Sequence, residues 1–181
     1  PPKNLKYIGI ITSISKKNNQ VILSDFPKEI KNLPDNIEIE IGYSPNFSKK
    51  YNALSFLFTG KSIKLTLSEQ QSESKLQSFI RQAVYIDDNI LKSVNPDIIL
   101  PEDMLDLEVI NIANDEVIGV ISDVNETAAN QVLIVENEDY ILPIPNIKEV
   151  VKRMDLQAKK IYIEIIDGLF DLKEEKKKKW H

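Results

Sequence analysis

Residues 105–172 decide the fold: LDLEVIN (105–111), EVIGVISDV (116–124), NQVLIVE (130–136), DYILPIP (139–145), KEVVKRMD (148–155) and KKIYIEIIDGLFDL (159–172). Six short apolar runs follow each other at close, even spacing, separated by polar turn residues. That pattern indicates a compact all-β barrel and not a catalytic α/β domain. The turns are local: Asn114-Asp115, the looser loop 125–130, Asn137-Glu138-Asp139, and 155–158. Ile161, Ile163 and Ile165 alternate with Tyr162 and Glu164, which predicts a strand with one dry face.

The first half is also β-rich. LKYIGIIT (5–12) and QVILS (20–24) flank the polar turn SKKNNQ, and Ile37, Ile39 and Ile41 alternate with Glu38 and Glu40. SFLFTG (55–60) and KSIKLTL (61–67) meet at Gly60. Ser68 with Gln71 reads as a capping box. Leu76, Phe79, Ile80 and Ala83 then make one apolar helical stripe, and AVYI (83–86) returns to strand. The expected class is mainly β, two small β-barrels, the first carrying one helix. The expected division is a barrel over 1–90, a linker over 91–101, a second barrel over 102–172 and a flexible basic tail over 173–181. Asp87-Asp88-Asn89 reads as a turn opening that linker, and Pro96 and Pro101 bracket an extended piece.

The net charge of -5 is unevenly distributed. Residues 1–101 hold 13 Lys+Arg against 10 Asp+Glu, residues 102–172 hold 5 against 16, and residues 173–181 hold 5 against 2. The middle segment therefore carries -11, flanked by two segments at +3 each. A surface at -11 repels a phosphate backbone and speeds encounter with a basic protein. Solubility alone explains the same excess equally well.

Several chemistries are excluded. There is no cysteine, and the single histidine is His181, the last residue. A Ser-His-acid triad and Cys/His zinc ligation therefore lack their parts; no metal and no cofactor are expected. Gly60-Lys61-Ser62 lacks the upstream glycine of a phosphate-binding loop, since position 55 is Ser, and IKLTL reads as strand. The carboxylate pairs Asp87-Asp88, Asp103 with Asp106, and Glu136 with Glu138-Asp139 sit in polar turns, where solvated acids are the simpler reading. The run Lys176 to Lys179 reads as a solubilising tail. No apolar run approaches the roughly 20 residues of a membrane span. Lys3, Asn4 and Lys6 interrupt any signal-like core, so a cytoplasmic, non-membrane protein is expected.

The second unit resembles the C-terminal PRC barrel of the RimM-type ribosome maturation factors. Leu105, Leu107, Glu108 and Val109 resemble its opening strand, and Gly119 to Val124 its G-x-V-x-D-V hairpin. Residues 130–135 resemble the central strand, Ile141-Leu142-Pro143-Ile144-Pro145 its L-I-P segment, Met154-Asp155 its V-D, and Gly168-Leu169-Phe170-Asp171 its closing G-L-L-D. Residues 7–11 and the helix leading to VYI are similar to the family's N-terminal barrel. There are departures: 13–20 (SISKKNNQ) replaces a His-Gly turn, Ile99 and Leu100 stand where the family has paired aromatics, and Asp106 stands for a glycine.

The resemblance implies a non-enzymatic, monomeric assembly factor. It would bind the immature small ribosomal subunit at its head, through a basic head ribosomal protein (number nineteen), with small-subunit rRNA nearby, and assist rRNA processing. Candidate contacts to the ribosomal protein are Ile99, Leu100, Pro101, Asp103, Asp106, Glu136, Glu138 and Asp139; Lys16 and Lys17 are the rRNA-proximal candidates. Packing competes with docking for Ile99 to Pro101, as solvation does for the acids. The alternative is a PRC-barrel adaptor for a different complex.

Overall fold

The structure, a computed structural model, describes residues 4–177. The chain divides into two compact units between Ile98 and Ile99. In the first, β1 (Leu5–Ser15), β2 (Gln20–Ser24), β3 (Ile37–Ser44), β4 (Phe47–Thr59), β5 (Ser62–Leu67) and β6 (Ala83–Asp87) close a barrel in the order β1-β2-β5-β4-β3-β6. Every pair around the ring is antiparallel. Closure leaves no unpaired edge strand, which removes the usual template for aggregation. Inward residues form the core: Ile8, Ile11, Val21, Leu23, Ile63, Leu65, Val84 and Ile86 are fully buried. Burying one such aliphatic side chain is worth about 1.5–3 kcal/mol.

Three details differ from expectation in this unit. β4 begins eight residues before SFLFTG, because the polar run FSKKYNAL pairs with β3 and only Ala53 of it turns fully inward. The helix α1 (Glu73–Ser78) starts later than Ser68: Ser72 is its N-cap, with Ser72 Oγ accepting from Lys75 N at 3.1 Å. Ser68 instead ends the strand, its N–H bonding to the Asn52 carbonyl at 2.9 Å. Asp87 opens a second helix, α2 (Asp88–Val94), and is its N-cap, Oδ1 accepting from Asn89 N at 2.8 Å. The stretch read as turn and linker thus begins with two turns of helix; a capping aspartate and a turn aspartate look alike in sequence.

The second unit opens with the short helix α3 (Pro101–Met104), proline at its first position. β7 (Glu108–Asn111), β8 (Val117–Glu126), β9 (Gln131–Glu136), β10 (Tyr140–Pro145), β11 (Val151–Asp155), β12 (Lys160–Ile163) and β13 (Glu174–Glu175) form one seven-stranded sheet, ordered β11-β12-β7-β8-β9-β10-β13. β12 and β7 are its one parallel pair among the described residues. The sheet wraps a core of Val109, Ile121, Leu133, Val135, Leu142, Ile144, Ile161 and Ile163. Gly168, at φ 83°, turns the chain into the 3-10 segment Leu169–Leu172, as its lack of Cβ allows.

The start of the expected flexible tail is ordered. Glu174 and Glu175 pair with Ile141 and Tyr140, and Lys176 N donates to the Asp139 carbonyl at 2.8 Å. β10 offers an unpaired edge there, and any chain with free N–H and C=O groups can fill it. Lys178, Lys179 and His181 lie outside the described residues. Among the described residues no helix is long and apolar enough to cross a membrane.

Candidate functional site

The acidic candidates of the second unit gather around β8 and the turn from β9 to β10. Asp106 sits at φ 67°, its N–H bonding to the Ile121 carbonyl at 2.8 Å. This left-handed backbone explains why a glycine suits the position; aspartate is one of the few other residues that tolerates it. Next along β8, Val120 pairs with Glu136 of β9. The crossing there is tight: a Cβ on Gly119 would lie 2.5 Å from the Glu136 carbonyl oxygen, so glycine is required. Glu136 binds Lys176 Nζ at 2.8 Å. Hydrogen bonds from Lys176 and Ser122 hold its carboxyl below the usual carboxylate range. Asn137 Oδ1 accepts from Asp139 N at 2.8 Å and Tyr140 N at 3.0 Å, an Asx turn that presents Glu138 and Asp139 to solvent.

Apolar side chains stand out among these acids. A bulge in the β7–β8 pairing, between Val109↔Gly119 and Ile110↔Val117, puts Ile118 and Gly119 both inside. The alternation is thereby shifted, and Val117 (54% exposed) and Val120 (40%) both face outward. Ile112 and Leu105 are exposed as well. Sequence reasoning named EVIGVISDV as an apolar strand run and assigned no outward apolar face to it. The one available signal was the run of consecutive apolar residues around Gly119, which a strict period of two cannot bury on one side.

The linker candidates divide. Leu100 is 1% exposed and is a core residue, so it is removed from the docking set. Ile99 is half-buried and packs against the second core. Asp103 Oδ2 accepts from Leu100 N at 2.9 Å and so ties the start of α3, with Pro101 as its first residue. All four serve the helix and the core more directly than they serve a surface.

In the first unit Lys16 and Lys17 lie in the β1–β2 turn. Lys16 Nζ donates to the Gln71 carbonyl at 2.8 Å, and Lys17 is exposed. Asn19, at φ 52° and buried, holds the chain before α1: its Nδ2 donates to the carbonyls of Leu67 (3.0 Å) and Glu69 (2.9 Å), and its Oδ1 accepts from Gln71 N at 2.9 Å. The glycine-free turn is thus fastened by an asparagine, which combines left-handed backbone with two donors and an acceptor. Among the described residues no group of three or more His, Cys, Asp or Glu is placed to hold a metal ion.

Residues 103–169 match the family described as RimM PRC barrel domain. The chain is 30% identical over 86 residues to the ribosome maturation factor RimM of Fusobacterium nucleatum subsp. nucleatum, covering 48% of each protein. It is 39% identical over 71 residues to the ribosome maturation factor RimM of Lactobacillus helveticus, covering 39% of this chain and 42% of that one. The matched stretches thus span a little under half of these relatives. A crystal structure of a 16S ribosomal RNA processing protein RimM from Pseudomonas aeruginosa aligns over 90% of this chain and 98% of that one, at 21% identity and a TM-score of 0.41.

Proposed function

We propose that this chain, whose residues 103–169 match the RimM PRC barrel domain family, is a ribosome maturation factor that works by binding. It docks on the head of the immature small ribosomal subunit through a basic head ribosomal protein, number nineteen, and so assists 16S rRNA processing. The observation that carries this reading is the outer face of β8 and β9. Exposed Val120 pairs with Glu136, Asp106 bonds to the carbonyl of the next residue Ile121, the turn after β9 carries Glu138 and Asp139, and Val117 is exposed on the same strand, in a segment where 16 acids face 5 bases. Acids steer a basic partner and set its orientation, while exposed valines supply area that leaves water on contact. Glu136 keeps part of its charge occupied on Lys176, which leaves Asp106, Glu138 and Asp139 as the more available acids.

Co-sedimentation of the full chain with ribosomal fractions tests this. The expected result is binding to free small subunits and not to fully assembled ribosomes. A variant carrying Asp106→Lys, Glu138→Lys and Asp139→Lys should bind at least about tenfold more weakly, with most of the loss relieved by salt. Absence of the parent chain from every ribosomal fraction would reject the reading in favour of an adaptor for another complex.

A further inference from the structure

The tip of the β3–β4 hairpin displays two aromatic rings for which folding has no use. Tyr43 is 72% exposed and Phe47 78% exposed. Their display is built into the backbone. Gly42 pairs with Ser48 and Ser44 pairs with Phe47, so Tyr43 is the extra residue of a bulge and is turned out of the ladder. Gly42 makes the crossing possible, since a Cβ there would lie 2.0 Å from the Phe47 carbonyl oxygen. Ser48 Oγ fastens the turn, donating to Glu40 Oε1 at 2.8 Å and lying 3.1 Å from the Pro45 carbonyl.

Behind Phe47 lies a depression of about 370 Å³ between this hairpin and α1. Its floor is Ile41, Tyr51 and Phe79, the two rings meeting edge to face at 5.1 Å between centroids. Lys49 and Lys75 stand at its rim, and no carboxylate lines it. Lys75 Nζ is 5.5 Å from the Phe79 ring centre. An exposed ring beside a shallow aromatic floor, with two cations among its lining residues and Glu40 held behind Ser48, is the chemistry of a base-stacking platform with phosphate contacts.

We infer that this groove binds a single-stranded stretch of RNA. A base stacks on Phe47 over the Tyr51–Phe79 floor, Tyr43 extends the platform at the tip, and Lys49 and Lys75 contact the flanking phosphates. A basic protein is a poor occupant, because the rim is cationic; an acidic peptide would leave the aromatic rings without flat partners. The choice of RNA over DNA rests on the proposed role in ribosome maturation; the groove itself stands on its own geometry.

The test is fluorescence anisotropy of the full chain with a labelled, mixed-sequence single-stranded oligoribonucleotide of about 10 nucleotides, beside the co-sedimentation assay. Phe47→Ala should weaken oligonucleotide binding by about 5- to 100-fold, with the thermal midpoint unchanged, and Phe47→Trp should restore it. Lys49→Ala should lower the slope of log affinity against log salt by about 0.7. Equal binding by parent, Phe47→Ala and Lys49→Ala overturns the inference even if small subunits are still bound. Loss of subunit binding in Phe47→Ala with oligonucleotide binding intact overturns it too, and assigns the groove to a protein. If the parent binds the oligonucleotide through Phe47 but no ribosomal fraction, the groove stands and the maturation role falls.

Discussion

Two close strand crossings in this molecule use the same backbone device to opposite ends. At the β3–β4 tip, Gly42 lets its strand approach Phe47 so closely that a Cβ would sit 2.0 Å from that residue's carbonyl. At the β8–β9 crossing, Gly119 does the same against Glu136, at 2.5 Å. One crossing presents aromatic rings beside lysines, and the other leads into a turn of carboxylates beside exposed valines. The lesson is that backbone geometry decides where a surface is displayed, while the outward side chains, which the core does not constrain, decide what it displays.

The comparison breaks most severely at the glycines themselves. Gly42→Val and Gly119→Val each place side-chain atoms inside backbone, and each should cost on the order of 3 kcal/mol or more. Since each lies in its own unit, hydrogen exchange should show the loss confined to residues up to 98 in one variant and from 99 onward in the other. Uniform loss across the chain in both would mean that the units do not unfold separately.

A neighbouring pair sharpens the difference between inside and outside. Ile121 is fully buried and Val120 is 40% exposed, one residue apart on β8. Ile121→Ala should cost about 2–5 kcal/mol in denaturant unfolding. Val120→Ala should stay within about 0.5 kcal/mol yet weaken co-sedimentation. Similar stability losses for both would remove the case for a free apolar face. Asp106 gives a smaller, opposite effect: at φ 67°, Asp106→Gly should stabilise by up to about 1 kcal/mol, whereas Asp106→Val should destabilise.

The smallest effect is electrostatic. Tyr7 OH donates to the Asp25 carbonyl oxygen at 2.9 Å. Burial first, then the Asp25 carboxylate, pushes its pKa from 10.0 to about 12. The folded state therefore holds this proton more tightly than the unfolded one. That contribution is complete below the unfolded value of 10.0 and is lost as the pH rises through about 12. Tyr7→Phe should flatten the fall in stability over that window; an unchanged profile would show that other groups govern it.

Much of the fold was legible because it depends on near neighbours in sequence. Alternation at Ile37, Ile39 and Ile41 and at Ile161 and Ile163 marked strands, and Gly60 marked the β4–β5 turn that the pairing of Thr59 with Ser62 closes. The docking candidates were legible only as charge. For Leu100 packing and docking both stood open, since its apolar neighbours Ile98 and Ile99 give no sign of its depth; it is buried. Tyr43, Phe47, Val117 and Val120 were missed because two bulges reverse the faces that simple alternation assigns.

Periodicity, turn residues and composition act locally, so the strand-rich class, the two expected barrels, the turns, the residue types the chain lacks and its division of charge could be read from residue order alone. It took the assembled fold to fix which apolar side chains face water, the strand order around the first barrel, and the joining of Glu174 and Glu175 to the second sheet. Those outcomes depend on register between strands far apart in the chain, where one extra residue moves a side chain from one face of a sheet to the other.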